Sequence, residues 1–484
     1  MQCEIYRKSV IVMLKRKIQS YLEDYLTSDS NKMLVVSGAR QVGKSFIIRH
    51  VGKQLFPNFV EVNMAEDSYG PRIFANAKTL EDFYLNLSTV AGNKLKDKHN
   101  TLVFIDEIQA YDHLLSMVKF LKQDDRFTYI ASGSQLGITL KETPTVPVGS
   151  IIIKNMYPLD FEEFLWANGV GEEAIDIMET KINQRESLSE ALHTRMMDLF
   201  KKYLLVGGLP DAVNSFISRK NIVEVREIQQ EIHHLYLLDA ARYEQESQRK
   251  LKIQRIFEMV PSNLENKKKR VVASKIDAKK EARMSDYADE FEYLIHSGVA
   301  LQVQAISQPS YPIIENSGKN LLKLYLNDVG IFTGILYHDQ IQAIMNDIRS
   351  VNLGSVYEAV VAQELAAHGF RLCYYDNKKL GEVDFLIDDT EHLSVTPIEV
   401  KSGKDYYVHS ALSNILAVKD YNIRQAFVLN NDREIRIKNG ITYLPVYSVM
   451  FFKKHSLALV ELQSNHPQKE RRRIGFRQSD GTDQ

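Results

Sequence analysis

Three short apolar runs rich in β-branched residues stand out in the first part of the chain. They cover Met33–Ser37, residues 101–105 and residues 129–131, and a helical pattern follows the first of them at residues 46–49. Continuous apolar runs of this length are typical of strands that are buried on both faces in a parallel sheet. The pattern therefore predicts an α/β domain with a parallel sheet.

The middle of the chain has a helical pattern. Between residues 161 and 250, apolar residues recur three and four positions apart, as at Leu199 and Tyr203, which predicts a helical lid. Residues 287–298 then resemble an amphipathic helix and residues 299–303 a strand. A helix followed by a wing strand is typical of a winged helix-turn-helix.

The carboxyl-terminal pattern predicts one helix and three strands. Residues 356–365 are helical in pattern and are ended by Gly369, and strand patterns follow at residues 371–375, 382–387 and 397–401. Strand residues two apart share a face, so Glu399 and Lys401 point to the same side of the sheet.

Composition narrows the class of protein. The 484 residues are 44% hydrophobic and 25% charged, which is ordinary for a soluble protein of several domains. The net charge of -1 argues against a protein that coats nucleic acid uniformly. Cys3 and Cys373 lack the spacing of a zinc site or a disulfide framework. Residues 10–14 are apolar but too few for a signal peptide, and no run is long enough to span a membrane, so a cytoplasmic location is expected.

The strongest candidate chemistry follows the first strand. Glycines at both ends of a loop, then a lysine and a serine, form a complete phosphate-binding loop between a strand and a helix. Backbone N–H groups, the helix dipole and the lysine favour phosphate, and the serine hydroxyl suits Mg²⁺. The predicted ATP-binding residues are Gly38, Ala39, Arg40, Gln41, Val42, Gly43, Lys44 and Ser45.

An acidic pair ends the second strand. Asp106 is predicted to hold Mg²⁺ through water, and Glu107 to polarise the attacking water. After the third strand, Ser132 and Ser134 predict either a sensor of the γ-phosphate or a serine-rich turn. Together with the loop, these residues predict an ATPase with Glu107 and Lys44 as its catalytic residues.

With these motifs, the sequence resembles AAA-type ATPases of a bacterial and archaeal family that carry a nuclease-like domain of unknown function at the carboxyl end. The resemblance extends to three signature segments, at residues 157–164, 207–210 and 324–330. They contain no convergent set of titratable groups, so a structural role is favoured: a helix start, a glycine turn and a strand ending in a turn.

One departure from these relatives concerns an arginine. Many of them carry an arginine where this chain has Ser150, after Gly149. An arginine that stabilises the transition state is worth roughly 10³ to 10⁵ in rate. Fast hydrolysis therefore requires Arg126, another arginine of the chain or one from a neighbouring subunit.

A basic segment precedes the predicted wing. It predicts contact with DNA, although solvated charge or a protein contact fits equally well. Residues 267–283 hold eight basic residues against Asp277 and Glu281: Lys267, Lys268, Lys269, Arg270, Lys275, Lys279, Lys280 and Arg283.

The carboxyl-terminal strands carry a second constellation. Asp384, Glu399 and Lys401 resemble the site of the PD-(D/E)xK nuclease superfamily, with Val383 in place of the proline. The resemblance implies that the acids bind Mg²⁺ or Mn²⁺, that Lys401 steadies water or the scissile phosphate, and that Glu358 adds an outer carboxylate. The alternative is that the fold is kept without cleavage.

Together these patterns predict a multidomain α/β protein that couples ATP hydrolysis to a DNA-associated activity, with cleavage of DNA as one form. The alternative is a nucleotide-dependent switch that binds a protein partner, or its own copies, through a non-catalytic nuclease-like domain. The predicted domains are an AAA-type P-loop core (1–155), a helical lid (156–255), a winged helix-turn-helix (256–345), a restriction-endonuclease-like domain (346–464) and a disordered tail (465–484).

Overall fold

The apolar runs form buried strands in the computed structural model, which describes residues 12–134, 136–137, 149–239, 246–266, 269–277, 283–313, 321–346, 352–403 and 407–454. Strands β1 and β3 are buried along their whole length. The first sheet is parallel, in the order β2-β3-β4-β1-β5. Its strands are β1 (Met33–Ser37), β2 (Asn58–Asn63), β3 (Thr101–Asp106), β4 (Thr128–Gly133) and β5 (Ile151–Asn155).

Helices cover both faces of this sheet, which is why the inner strands β1 and β3 are buried on both sides. Leu34 and Val36 pack with the residues of one helical layer, including Ile48, whereas Val35 packs with the other, including Val118. The helices here are α1 (Ile18–Thr27), α2 (Lys44–Leu55), α3 (Met64–Tyr69), α4 (Leu80–Ala91) and α5 (Asp112–Asp124).

The strand order determines which loops meet. Strand β4 lies between β1 and β3, with Ser37 beside Gly133 and Ile105 beside Ala131. All three strands run in one direction, so the segments that follow them share the carboxyl edge of the sheet, where α/β folds bind their ligands. The predicted loop, acidic pair and serines therefore lie at a single edge.

The helical pattern predicted for the middle of the chain is confirmed. The helices are α6 (Phe161–Ala167), α7 (Glu172–Asn183), α8 (Glu190–Val206), α9 (Pro210–Arg219), α10 (Ile222–Asp239), α11 (Ser247–Glu265), α12 (Ala273–Asp277) and α13 (Ala288–His296). Helix α6 begins at a capping box. The Asp160 side chain accepts from the backbone N–H of Glu163, and the Glu163 side chain accepts from the backbone N–H of Asp160.

A second, mixed sheet has the order β12-β13-β11-β10-β9-β8-β6-β7. Its strands are β6 (Ala300–Ile306), β7 (Leu322–Leu326), β8 (Cys373–Asn377), β9 (Gly381–Asp389), β10 (Ser394–Val400), β11 (Ala426–Asn430), β12 (Arg436–Lys438) and β13 (Ile441–Pro445). The accompanying helices are α14 (Val329–Leu336), α15 (Ile341–Met345), α16 (Leu353–Ala367) and α17 (Ser410–Leu416).

The second sheet joins two segments that the sequence assigned to different domains. The predicted helix and three strands correspond to α16, β8, β9 and β10, and the predicted wing strand corresponds to β6. Strand β6 pairs in parallel with β8, with Gln304 beside Cys373. The sheet therefore crosses the boundary predicted at 345/346. The winged-helix and nuclease-like interpretations and the division into domains stay predictions, and the predicted tail lies outside the described residues.

The fold class is confirmed as a multidomain α/β protein with a parallel-sheet P-loop core. Among the residues that the structure describes, no helix has both the length and the apolar character needed to cross a membrane.

Candidate functional site

The loop after β1 adopts a conformation that its glycines make possible. A Cβ atom on Gly38 would lie 2.1 Å from the carbonyl oxygen of Met156, and Gly43 has a φ of 95° at the start of α2. Lys44 is buried, and its Nζ donates to the carbonyl oxygens of Gly38 at 2.9 Å and Ala39 at 2.8 Å. Burial lowers the pKa of Lys44, while nearby acids act in the opposite direction.

Asp106 joins the loop to the neighbouring strand. The Ser45 hydroxyl donates to the Asp106 carboxylate and lies 3.0 Å from Oδ1 and 2.9 Å from Oδ2. The Ser132 hydroxyl donates to the same carboxylate. Burial raises the pKa of Asp106, against the effect of these two hydroxyls. A buried carboxylate beside a hydroxyl fits Mg²⁺, which takes few protein ligands when phosphate and water supply the others.

Glu107 stands next to Asp106 in a left-handed conformation, with a φ of 53°. Its carboxylate accepts hydrogen bonds from Ser134 Oγ at 2.9 Å and from the Gln109 amide. Burial alone would raise the pKa of Glu107, but the charges of Lys44 and Arg40 outweigh burial and hold the pKa below its usual value. The group is therefore ionised at neutral pH and fixed in orientation, as a group that polarises water must be.

Among the remaining loop residues, Arg40 contacts helix α10, which the motif did not predict. Arg40 Nε lies 3.0 Å from Asp239 Oδ2 at the end of α10, and the Tyr236 hydroxyl donates to the Arg40 carbonyl oxygen at 2.8 Å. Gln41 has a φ of 63°, and Val42 is buried.

Arg16 is a further residue that sequence reasoning missed. It is buried, and its guanidinium donates to the carbonyl oxygens of Val42 at 2.9 Å and Tyr157 at 2.7 Å and to Glu163 at 3.1 Å. It therefore ties the phosphate loop to the start of α6. Only its place in a short basic run, after an apolar one, was visible in the sequence.

A cavity of about 270 Å³ adjoins the loop. Its lining is largely apolar, with polar groups from α9, and the Asn214 Oδ1 atom is buried with no hydrogen-bond partner among the described residues. A largely apolar cavity with a few polar groups is typical of a small-molecule site, and the Asn214 Oδ1 atom can accept a hydrogen bond from a ligand there. It is lined by Val12, Leu14, Arg16, Gln41, Gly43, Ser45, Phe46, Ile47, Met156, Pro210, Asp211 and Asn214.

Two positions considered for arginine lie at the opposite edge of the sheet. Arg126 precedes β4, pairs with Asp124 at 2.7 Å and stacks over Tyr84. Ser150 precedes β5, and its carbonyl oxygen accepts from Met33 at the beginning of β1. A five-residue strand is about 16 Å long, so neither position reaches the phosphate loop of its own chain. Arg126 is therefore wrong as the intrachain substitute.

The comparison with protein families agrees with this geometry, since residues 30–165 match the model of the AAA domain. This part of the chain is similar to an AAA domain, and we refer to residues 30–165 as the AAA domain. The AAA domain contains the phosphate loop, both acids and both serines. Residues 197–340 and 353–449 match two domains of unknown function, DUF8612 and DUF4143. A search of curated proteins gave no significant match.

Solved structures with a similar fold are distant in sequence. A Walker-type ATPase of Pyrococcus abyssi is 12% identical, covers 67% of this chain and 96% of its own, and has a TM-score of 0.40. The Orc1 protein of Aeropyrum pernix, solved with DNA, is 13% identical over 70% of this chain and 96% of its own, at 0.30. The RuvB branch-migration motor of Thermotoga maritima is 14% identical over 59% and 89%, at 0.29.

The three signature segments meet beside the AAA domain. Leu159 N donates to the Gly208 carbonyl oxygen at 2.7 Å, and Gly208 N donates to the Asp328 carboxylate at 2.7 Å. Asp328 also caps α14 by accepting from Ile331 N at 3.0 Å. The last segment thus leads from β7 into a helix cap, where the sequence predicted a turn. These contacts support the structural role that the sequence favoured.

The carboxyl-terminal acids also converge. Glu358 lies on α16, Asp384 on β9 and Glu399 on β10. Burial and the charges of Glu358 and Glu399 raise the pKa of Asp384 well above its usual value. Lys401 Nζ lies 2.7 Å from Glu399 Oε1, and Asp384 Oδ2 accepts from Val400 N at 2.8 Å. The structure therefore brings the four predicted residues together.

Cations from outside the predicted set pair with Glu358 and with the nearby Glu382. Lys269 pairs with Glu358, and the fully buried Lys323 lies 2.7 Å from Glu382, which also pairs with Arg270 at 2.8 Å. Within the described part of the chain, no group of three or more His, Cys, Asp or Glu residues has the geometry of a metal site. With Lys269 on Glu358 and Lys401 on Glu399, the acids as arranged do not match the predicted site for Mg²⁺ or Mn²⁺.

The same contacts change the interpretation of the basic segment. Lys269 pairs with Glu358 of α16 and Arg270 with acids of the second sheet, whereas Lys275 and Arg283 are exposed. Lys267, Lys268, Lys279 and Lys280 lie outside the described residues. Part of the predicted DNA-binding charge is therefore committed within the chain.

Proposed function

We propose that the chain binds ATP with Mg²⁺ and hydrolyses it at the AAA domain. The observation that carries the proposal is the convergence of Lys44, Ser45, Asp106 and Glu107 at one edge of the parallel sheet. The products are ADP and phosphate, formed by in-line attack of water on the γ-phosphate.

The chain's own residues supply position and charge. The loop N–H groups and Lys44 bind phosphate oxygens, and burial strengthens their interaction with the charge of the transition state. Ser45 and Asp106 would hold Mg²⁺, which neutralises phosphate charge when bound. Glu107, kept ionised and aimed by Ser134 and Gln109, orients the water.

The cavity beside the loop supports a purine base. Pro210 and Phe46 present apolar surface, and the Asn214 amide supplies unpaired hydrogen-bonding capacity. A buried amide left unpaired disfavours ligands that cannot satisfy it. The expected nucleotide is ATP, for which the exocyclic amine of adenine is a suitable partner.

ATP turnover tests this proposal. The purified chain should release phosphate from ATP only with Mg²⁺, and Lys44→Ala should abolish turnover while Lys78→Ala, a change at an exposed lysine of the same domain, should not. Equal rates in all three would contradict the site.

For the rest of the chain, two functions compete. Convergence of Glu358, Asp384, Glu399 and Lys401 favours metal-dependent cleavage of DNA coupled to ATP hydrolysis. The pairing of Lys269 with Glu358 favours the alternative, a nucleotide-dependent switch whose nuclease-like domain binds a partner without cutting. We infer that the switch is the better-supported function, because Lys269 pairs with Glu358 and no group of three or more His, Cys, Asp or Glu residues in the described part of the chain has the geometry of a metal site.

Plasmid nicking with Mg²⁺ or Mn²⁺ separates the two functions. The switch predicts no nicking by the native chain or by Asp384→Asn. Nicking by the native chain that Asp384→Asn removes would establish cleavage and overturn the switch. Stimulation of ATP turnover by duplex DNA, lost on replacing Lys275 and Arg283 and weakened by salt, would establish coupling to DNA.

A further inference from the structure

Arg40 belongs to the phosphate loop, but its side chain pairs with a residue outside the loop. It occupies the third position of the loop, and its side chain is 28% exposed. Its charge acts on both Lys44 and Glu107, the two residues proposed to act on the phosphates and on the attacking water. Charge at this position can therefore reach a bound phosphate.

Other arginines near the AAA site are already held. Arg16 is buried against Val42, Tyr157 and Glu163. Arg49 pairs with Glu61 at 2.6 Å. Arg126 lies at the opposite edge of the sheet. Of these arginines, Arg40 is the one that belongs to the phosphate loop, and its partner is a carboxylate.

That partner is Asp239, the last residue of α10. Its carboxylate lies 3.0 Å from Arg40 Nε and is 10% exposed, and one turn earlier Tyr236 binds the Arg40 carbonyl oxygen. Helix α10 also packs against α9, α11 and α14. A carboxylate and a phosphate are alternative anionic partners for one guanidinium.

We propose that Arg40 exchanges Asp239 for the terminal phosphate of bound ATP, so that the Arg40–Asp239 pair sets the preference of the site for ATP over ADP. The inference rests on the proposed ATP site and names the arginine that its chemistry requires within one chain. Arg40 touches the γ-phosphate, and Asp239 is a positioning residue that acts through Arg40.

Replacing Asp239 and replacing Arg40 should have opposite effects on ATP binding. Removing Asp239 leaves Arg40 to the nucleotide, so Asp239→Asn should strengthen ATP binding about tenfold and leave ADP binding within about twofold, since a charge-assisted hydrogen bond is worth on this order. Arg40→Met should weaken ATP binding about tenfold with little change for ADP. Arg40→Lys should recover part of the loss, because it keeps the charge and loses the planar fork.

The test is titration calorimetry of ATP and ADP, with Mg²⁺, against the native chain, Asp239→Asn, Arg40→Met, Arg40→Lys and the double variant. The double variant should bind like Arg40→Met if, as proposed, the effect of Asp239 on the nucleotide passes through Arg40. Arg126→Met is the matched control and should bind both nucleotides as the native chain does.

The proposal is overturned if Asp239→Asn changes ATP and ADP binding equally, or has the same effect with and without Arg40. A purely structural contact would give either of these results. Absence of ATP binding in the native chain would instead overturn the proposed function itself, so the two failures are distinguishable. Arg40→Lys keeps the test decisive if Arg40→Met does not fold.

Discussion

Asp106 is the residue at which the phosphate loop, β3 and β4 meet, since Ser45 and Ser132 both donate to it. Asp106→Asn keeps the size of the side chain but removes the charge that suits a divalent cation. We expect ATP affinity in Mg²⁺ to fall about tenfold or more, because a charge-assisted contact is lost. ATP affinity in EDTA should change little. Calorimetry with and without Mg²⁺ measures both.

The control for this change is Asp112→Asn, at an exposed acid at the start of α5 in the same domain. It should leave ATP binding in Mg²⁺ unaltered. An equal loss in Mg²⁺ and in EDTA for Asp106→Asn would contradict a role in metal binding and indicate damage to the loop.

Residues of this site differ in how visible they are in the sequence. The loop and acidic pair are adjacent to recognisable strands, so their spacing alone predicts them. Three residues of the site come from separate elements: Arg16 from the segment before α1, Asp239 from α10 and Asn214 from α9. Only tertiary packing brings them together. No local pattern marks such residues, because a buried arginine and a helix-terminal aspartate look the same in sequence as solvated ones.

Among the elements, the segment before α6 and the end of β7 are joined through Gly208, which is hydrogen-bonded to Leu159 and to Asp328. A Cβ atom there would lie 2.0 Å from the Leu159 carbonyl oxygen, a backbone atom that cannot turn aside. Gly208→Ala should therefore lower the free energy of unfolding by about 1–3 kcal/mol or more, the usual cost of overpacking. The midpoint of thermal unfolding should fall by several degrees.

Gly403→Ala is the matched change, because no atom of the described residues lies within 4 Å of the added Cβ and the backbone is not left-handed there. Its thermal midpoint should equal that of the native chain. A native-like midpoint for Gly208→Ala would show that the signature segments are not packed as described.

Elements with strong local signals were the ones predicted well. Strands β1 and β3 follow directly from continuous apolar runs, and the helices of the middle region follow from their spacing. The pairing of β6 with β8 joins Gln304 to Cys373 across 69 positions, and nothing local specifies such a partner. The sequence therefore predicted a separate wing where the structure has one shared sheet.

In the whole molecule, a buried cluster of ionisable side chains links α16 to the start of α6, which lies at the carboxyl-terminal border of the AAA domain. Glu364 is fully buried and accepts from Phe161 N at 2.8 Å and from the Tyr203 hydroxyl at 3.2 Å, with His368 and Asp160 nearby. Burial and the charge of Asp160 raise the pKa of Glu364 to about 8. The acid is therefore protonated in the folded chain at neutral pH.

This raised pKa gives a pH dependence with a definite sign. The folded chain holds the Glu364 proton more tightly than the unfolded chain, so stability from this group is greatest below its ordinary pKa and is lost as pH rises toward about 8. Glu364→Gln resembles the protonated acid and lacks this loss. Its thermal midpoint relative to the native chain should rise between pH 5.5 and pH 8.5.

Glu258→Gln, at an exposed position of α11, should show no such trend. A difference between Glu364→Gln and the native chain that is constant across this pH range would contradict the raised pKa, whatever the sign of the difference.

The central claim is that the AAA domain hydrolyses ATP with Glu107 as the group that orients water. The most direct measurement is the rate of phosphate release at saturating ATP and Mg²⁺ by the native chain and by Glu107→Gln, with ATP affinity measured in parallel. Glu107→Gln should bind ATP with native-like affinity and release phosphate at a rate lowered on the order of 100-fold or more. Equal rates in the two proteins would contradict this role of Glu107.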